Sequence, residues 1–125
     1  RAAGTPVEVL FTPHLAPMNR GILATCYARA TDPGPTTALA LDTLRDAWEG
    51  EPFVVVVDEP PATMATLGAN TLHVAARADA RTGWVVAIAA LDNLVKGASG
   101  QAVQCANLML GLPETTGLPI VGMYP

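Results

Sequence analysis

Trp84-Val85-Val86-Ala87-Ile88-Ala89-Ala90-Leu91 is apolar at every position. Successive side chains of a strand point to opposite faces, so this strand is greasy on both, and both need cover. Upstream, Leu72 to Ala78 reads as its hairpin partner, with Asp79-Ala80-Arg81-Thr82-Gly83 as the connecting loop. Phe53 to Val57 is a shorter run of the same two-sided kind. Gly21 to Ala30 reads as a strand, and Val7-Glu8-Val9-Leu10-Phe11 as another, alternating around one charge. Asp32-Pro33-Gly34-Pro35 is a turn, after which Thr36 or Thr37 caps a helix through Trp48 with Leu41, Leu44 and Trp48 on one face. Pro60-Pro61 breaks regular structure, and Thr63 to Ala69 reads as extended or loop. Ala98 to Leu110 is the second helix, ended by Gly111 with Pro113 beyond; the tail from Glu114 is turn-rich with at most one short strand. Two helices shield about one face of a four- or five-stranded sheet. The other face predicts a partner surface.

Composition points the same way. Of 125 residues, 50% are hydrophobic and only 14% charged, against roughly a quarter in an average globular domain. A surface so poor in charge often continues into another chain or domain. The net charge of −4, with seven basic residues and no cluster of them, argues against nucleic acid or an anionic membrane as partner. No apolar run is long enough to span a bilayer, and no signal peptide is read. The chain starts at Arg1, so it is expected not to begin at a native N-terminus. Cys26 and Cys105 lack a metal-type spacing, which suits a reduced, cytoplasmic setting; one disulfide stays open.

Few residues offer chemistry. His14 follows the first strand in a Pro-rich segment, either as an anion or proton site or as a plain loop residue. His73 lies on a strand, where a surface or interface role is expected, and two lone histidines make no metal site. Cys26, within a strand, and Cys105, mid-helix, are expected to be buried small hydrophobes, since a reactive thiolate needs a helix N-terminus or a cation. Ser99, the only serine, lacks the strained turn of a nucleophilic elbow. Arg20 precedes a strand and is placed to reach an anion or brace a carbonyl. The stretch Leu91-Asp92-Asn93-Leu94-Val95-Lys96-Gly97-Ala98-Ser99-Gly100-Gln101-Ala102-Val103-Gln104 starts a helix with small residues, which permits close approach to its backbone and to free N–H groups. Asn93 can pair with another amide in both directions, and Lys96 can hold an anion or stay solvated. The alternative is tight helix–sheet packing with Asp92 as a cap.

Two segments carry a resemblance: Phe11 to Thr25 (FTPHLAPMNRGILAT) and Leu91 to Leu118 (LDNLVKGASGQAVQCANLMLGLPETTGL), with a weaker match at Gly68-Ala69-Asn70. The chain resembles, over essentially its whole length, the C-terminal part of the N-acetyl-γ-glutamyl-phosphate reductase family. That resemblance implies an α+β domain of the glyceraldehyde-3-phosphate dehydrogenase type: a mixed or antiparallel sheet, helices on one face, a dimer contact on the other, and no Rossmann domain. Residues 1–125 would be the substrate and dimerisation segment, with 92–110 on the cofactor side. It further implies NADPH-dependent reduction of N-acetyl-glutamyl 5-phosphate to the 5-semialdehyde and phosphate, in arginine biosynthesis. The family's attacking cysteine (Cys-Tyr-Pro-Thr) and its His-Arg-His segment are not in this chain, and Cys26-Tyr27 is followed by Ala28-Arg29. No catalytic residue and no metal ligand is therefore expected here. The resemblance puts Asn93, Lys96 and Gly97 on the NADP side, and Arg20 and Asn70 towards the substrate. Expected partners are a second copy or more through the sheet, the Rossmann domain of the same enzyme and the small acyl phosphate. A non-catalytic assembly module, and the related reductase of carrier-linked aminoadipyl phosphate in lysine biosynthesis, are the alternative readings.

Overall fold

Alanines decide which side of the sheet the helices take. The computed structural model describes residue 4 and residues 6–123. Its sheet has four strands, β1 (Ile22–Arg29), β2 (Val54–Val56), β3 (Leu72–Asp79) and β4 (Trp84–Leu91), in the spatial order β1-β4-β3-β2. β4 is antiparallel to both neighbours and β2 is parallel to β3, so the sheet is mixed. The register sets two unlike faces. On one, Cys26, Ala87 and Ala76 form a row beside Ala28, Val85 and Ala78. On the other, Tyr27, Val86 and Arg77 form a row beside Thr25, Ile88 and Ala75.

Helix α1 (Thr37–Ala47) lies on the alanine-rich face, where short side chains let a helix come close. Thr36 caps it by accepting from the Leu39 N–H at 3.1 Å, and the Thr37 hydroxyl accepts from the Ala78 N–H at 3.1 Å. Leu41 is buried, while a cleft of about 370 Å³ stays open between Leu39, Ala40 and Thr43 of the helix and Ala76, Val85 and Ala87 of the sheet. At the other end of the same face sits a π-turn (Val95–Ser99), which leads into α2 (Gly100–Met109). Gly97 is close enough there that a Cβ would stand 3.3 Å from Leu91 Cδ1 and 3.4 Å from Ile22 Cδ1. Gly111, at φ 68°, follows the end of α2 as expected.

Both strands of the predicted hairpin, the short strand at 54–56, β1 and both helices fall where the sequence places them. Three expectations need correction. Val7 to Phe11 forms no strand: among the described residues it has no ladder partner, because the sheet ends at β1 and β2, and Leu10 is 94% exposed. Thr63 to Thr66 is a 3₁₀ turn rather than extended chain, closed by Ala62 and Met64 carbonyls. Cys26 and Cys105 are exposed, not buried. Cys26 belongs to an edge strand that α1 does not reach, and Cys105 lies on the outer side of α2. β1 in fact keeps both faces open, with Ile22, Leu23 and Tyr27 all exposed.

The interior has two characters. The buried apolar residues fall on both sides of the sheet, Val74 and Ala76 on the face of α1 and Ala75 and Ala90 on the other, with Phe53 just before β2. Towards α2 the buried residues are Thr66, Asn70, Thr71, Asp92 and Asn107. Buried polar groups must be paired to be tolerated, and their pairing organises this end of the molecule.

Candidate functional site

Asp92 follows directly on β4 and is fully buried. Its Oδ1 accepts from the Leu94 and Val95 N–H groups at 2.8 and 2.9 Å, and its Oδ2 from the Gly68 N–H at 2.7 Å. Arg20 Nη2 donates to both oxygens, at 2.7 and 2.6 Å. Burial pushes this carboxyl up, but the Arg20 guanidinium and the Gly68, Val95 and Leu94 N–H groups outweigh it and hold it well below the usual carboxylate range. A buried carboxylate is tolerable here because every acceptor direction is used.

Asn93, the next residue, turns towards β1: its Oδ1 accepts from the Gly21 N–H at 2.7 Å. An N–H can only donate, so that bond fixes the amide's polarity and leaves Nδ2 as the free end. Gly21 is at φ 106°, where a Cβ would also stand 2.5 Å from Thr63 Cβ, so no other residue fits. Asn93, Gly21 and Arg20 thus meet at one edge, with Gly97 above Ile22 and Leu91 beside them.

Lys96 and Asn70 belong to a different cluster. Lys96 Nζ stands 5.2 Å from the centre of the Phe53 ring and donates to Gln104 Oε1 at 2.7 Å. Burial lowers its pKa, opposed by Glu114, Cys105 and Glu51. Asn70 Nδ2 donates to the same Gln104 oxygen at 3.1 Å, and Gln104 Nε2 donates to Glu114 Oε1. Lys96 and Glu114 between them dictate which way Gln104 points, and Gln104 then dictates Asn70. Asn70 Oδ1 is left buried without a partner. The structure therefore separates the five residues singled out in the sequence: Asn93, Gly97 and Arg20 gather at the β1 edge, while Lys96 and Asn70 face Gln104.

The small residues before α2 also divide. Gly100 is buried, and a Cβ there would collide with Asn70 Oδ1 and stand 2.7 Å from the Val95 carbonyl oxygen. Its smallness serves internal packing. Gly97, Ala98 and Ser99 are exposed and leave the turn's outer surface low. Five of the N–H groups at this start are engaged: Asp92 takes those of Leu94 and Val95 with its side chain and that of Gly97 with its carbonyl, and the Leu94 and Val95 carbonyls take those of Ser99 and Gly100. Sequence reasoning kept Asp92 only as a possible cap and missed Gln104; the charge of one and the Lys96/Gln104 spacing of one helical face were the signals available.

The histidines lie elsewhere. His14 is exposed and its Nδ1 donates to the Thr12 carbonyl oxygen at 3.1 Å. His73 is half-buried on the face away from α1, and burial lowers its pKa. Among the described residues no group of three or more His, Cys, Asp or Glu could hold a metal ion, and no helix is long and apolar enough to cross a membrane.

Comparison with known proteins gives a family. Residues 1–93 match the model of the semialdehyde dehydrogenase, dimerisation domain. The N-acetyl-gamma-glutamyl-phosphate reductase of Frankia casuarinae is 56% identical over all of this chain, which covers 37% of that protein. The reductases of the same name from Saccharopolyspora erythraea and Citrifermentans bemidjiense are 56% and 51% identical over 99% and 98% of the chain, 36% of each relative. The chain thus spans little more than a third of the curated relatives it matches.

Proposed function

The chain belongs to the semialdehyde dehydrogenase dimerisation-domain family, and on that premise we propose that it is the C-terminal, oligomerising segment of an N-acetyl-γ-glutamyl-phosphate reductase. The whole enzyme would be cytoplasmic and serve arginine biosynthesis. It would reduce N-acetyl-glutamyl 5-phosphate with NADPH and a proton, giving the 5-semialdehyde, NADP⁺ and phosphate. The observation that carries this reading is end-to-end identity of 56% with a reductase of that name.

NADPH, when bound, supplies the hydride, and a Rossmann domain outside this chain would hold most of it. The chain's own share suits that role. Asn93 presents Nδ2 with its oxygen already engaged by Gly21, which is the polarity needed to donate to a carboxamide oxygen. Gly97 keeps the neighbouring surface low enough for a planar ring. Lys96, next to Gly97 in the chain, is turned to Gln104 and Phe53, so its share in this role would be to hold the turn. Arg20 would stand towards the substrate with Nη2 committed to Asp92, its Nε buried without a partner among the described residues and its side chain 34% exposed; Asn70, assigned to the same side, is bonded apart from it to Gln104. The attacking thiolate belongs to the rest of the enzyme. Neither Cys26 nor Cys105 is assigned to it: both are free and exposed, and Cys26-Tyr27 is followed by Ala28-Arg29 where the family motif has Pro-Thr.

Self-association belongs to the same reading. The sheet face away from α1 carries Leu23, Tyr27, Val86, Ile88 and Trp84, and a second copy would cover it. The test is direct. A protein with this chain joined to its Rossmann part should oxidise NADPH in the presence of N-acetyl-glutamyl phosphate, and this chain alone should not. Turnover by the chain alone, or turnover of the joined protein only with carrier-linked aminoadipyl phosphate, would overturn the assignment.

A further inference from the structure

Buried carboxylates are costly, and the bonds of Asp92 are divided in a way that capping does not require. Capping the turn uses Oδ1 alone, through the N–H groups of Leu94 and Val95. Oδ2 serves remote chain: the Gly68 N–H, and the guanidinium of Arg20, which also touches Oδ1. Arg20 is followed directly by Gly21, whose N–H holds Asn93, and Asn93 follows directly on Asp92. The two bonds close a small ring: Asp92 to Arg20 through side chains, Gly21 to Asn93 through backbone and amide.

We propose that Asp92 is a positioning residue, which acts through Arg20 and Gly21 to fix where the Asn93 amide stands and which end of it faces outward. The proposal rests on the assignment of Asn93 to the cofactor made above. Releasing Arg20 frees the Gly21 N–H to drift, and with it the bond that, among the described residues, gives the amide its polarity. Asn93 then turns over, presenting oxygen where nitrogen is needed.

Asp92→Asn separates this role from capping. Its Oδ1 still accepts from Leu94 and Val95, but its Nδ2 meets two donors, the Gly68 N–H and Arg20. In the full-length reductase carrying this chain, D92N should raise the NADP⁺ dissociation constant and the KM for NADPH about tenfold, the worth of one amide hydrogen bond. D92N/N93A should bind cofactor no more weakly than N93A alone, because both changes remove the same contact. A merely structural Asp92 would reduce yield and thermal stability while the folded enzyme keeps its KM, or would add its effect to that of N93A. Either result overturns the proposal. Should N93A itself bind cofactor normally, the Asn93 assignment falls and takes this proposal with it, whereas impaired N93A beside unimpaired D92N sinks Asp92 alone. If D92N does not fold, Arg20→Lys carries the test, with cofactor titrated in the absence of substrate and the same rise expected; an unchanged dissociation constant overturns it.

Discussion

Gly97 and Gly100 are three residues apart and answer to different constraints. At Gly100 a methyl group has nowhere to go: one obstacle is the buried Asn70 amide, held by Gln104, and the other is a backbone carbonyl. Gly100→Ala should therefore cost about 1–3 kcal/mol, the usual range for overpacking, read as a lower urea midpoint. At Gly97 the nearest atoms are the Asp92 carbonyl oxygen and the Leu91 Cδ1 methyl at 3.3 Å and the Ile22 Cδ1 methyl at 3.4 Å. The methyls can yield, and the carbonyl is farther away than the 2.7 Å of the Val95 carbonyl at Gly100. Gly97→Ala should change stability by less than about 1 kcal/mol while weakening cofactor binding in the full enzyme. Equal losses of stability at both positions would remove the reason for treating Gly97 as a surface kept low for a ligand. Asp92 makes a third case, through pH. Its folded pKa lies below the unfolded value, so its contribution to stability is complete above about pH 4 and is lost as pH falls towards the folded value. D92N should accordingly flatten the acid limb of a stability–pH curve, and an unchanged limb would show that other carboxylates set it.

At the scale of elements, the polar face of α2 does what an apolar stripe does elsewhere. Gln104 joins α2 to the turn at Asn70, to Lys96 and to the tail at Glu114, and Asn107 Nδ2 donates to the Glu114 and Thr116 carbonyls, both at 3.0 Å. Gln104→Leu keeps the volume but strands the Asn70 and Lys96 donors. A loss of about 1–3 kcal/mol is expected in chemical denaturation, with amide exchange speeding up from Glu114 to Leu118. Loss without faster exchange there would mean the tail is held without Gln104, by Asn107 and the Asn70 N–H bond to the Pro119 carbonyl. This element also marks how far the sequence could be read. β4, β3 and α1 were legible because period and capping are local: Thr36 and Leu39 are neighbours in sequence. Val7 to Phe11 has the right period too, yet a ladder needs a partner, and period says nothing of partners. Asp92 was legible as a cap, two residues from Leu94, and illegible as a node, because Gly68 and Arg20 reach it from 24 and 72 residues away. Exposure of Cys26 was hidden for the same reason, since strand order is decided by contacts distant in sequence.

At the scale of the molecule, the question is what meets the face away from α1. Its rows run from Leu23, Ala90 and His73 with Val55 to Arg29, Trp84 and Asp79, with Tyr27 69% exposed and the Arg29 guanidinium 4.8 Å from the Trp84 ring centre. A second copy seated there would dehydrate His73 further. Burial already lowers its pKa in one copy, so the proton binds better to whichever state exposes the ring: the unfolded chain or the separated one. Association is therefore favoured in full above the His73 pKa of the separated copy, which burial already sets below the ordinary histidine value, and weakens as pH falls through it. Asp79, on the same face, is held below the usual carboxylate range by Arg81 and does not titrate in this window. Sedimentation velocity of the chain at pH 7.5 and 5.5 should show dissociation on acidification, and His73→Gln should remove the pH dependence while keeping the association. Ile88→Asp, at the centre of the face, should abolish association at both pH values. If His73→Gln dissociates with pH as the parent does, or Ile88→Asp associates as before, the second copy does not sit on this face.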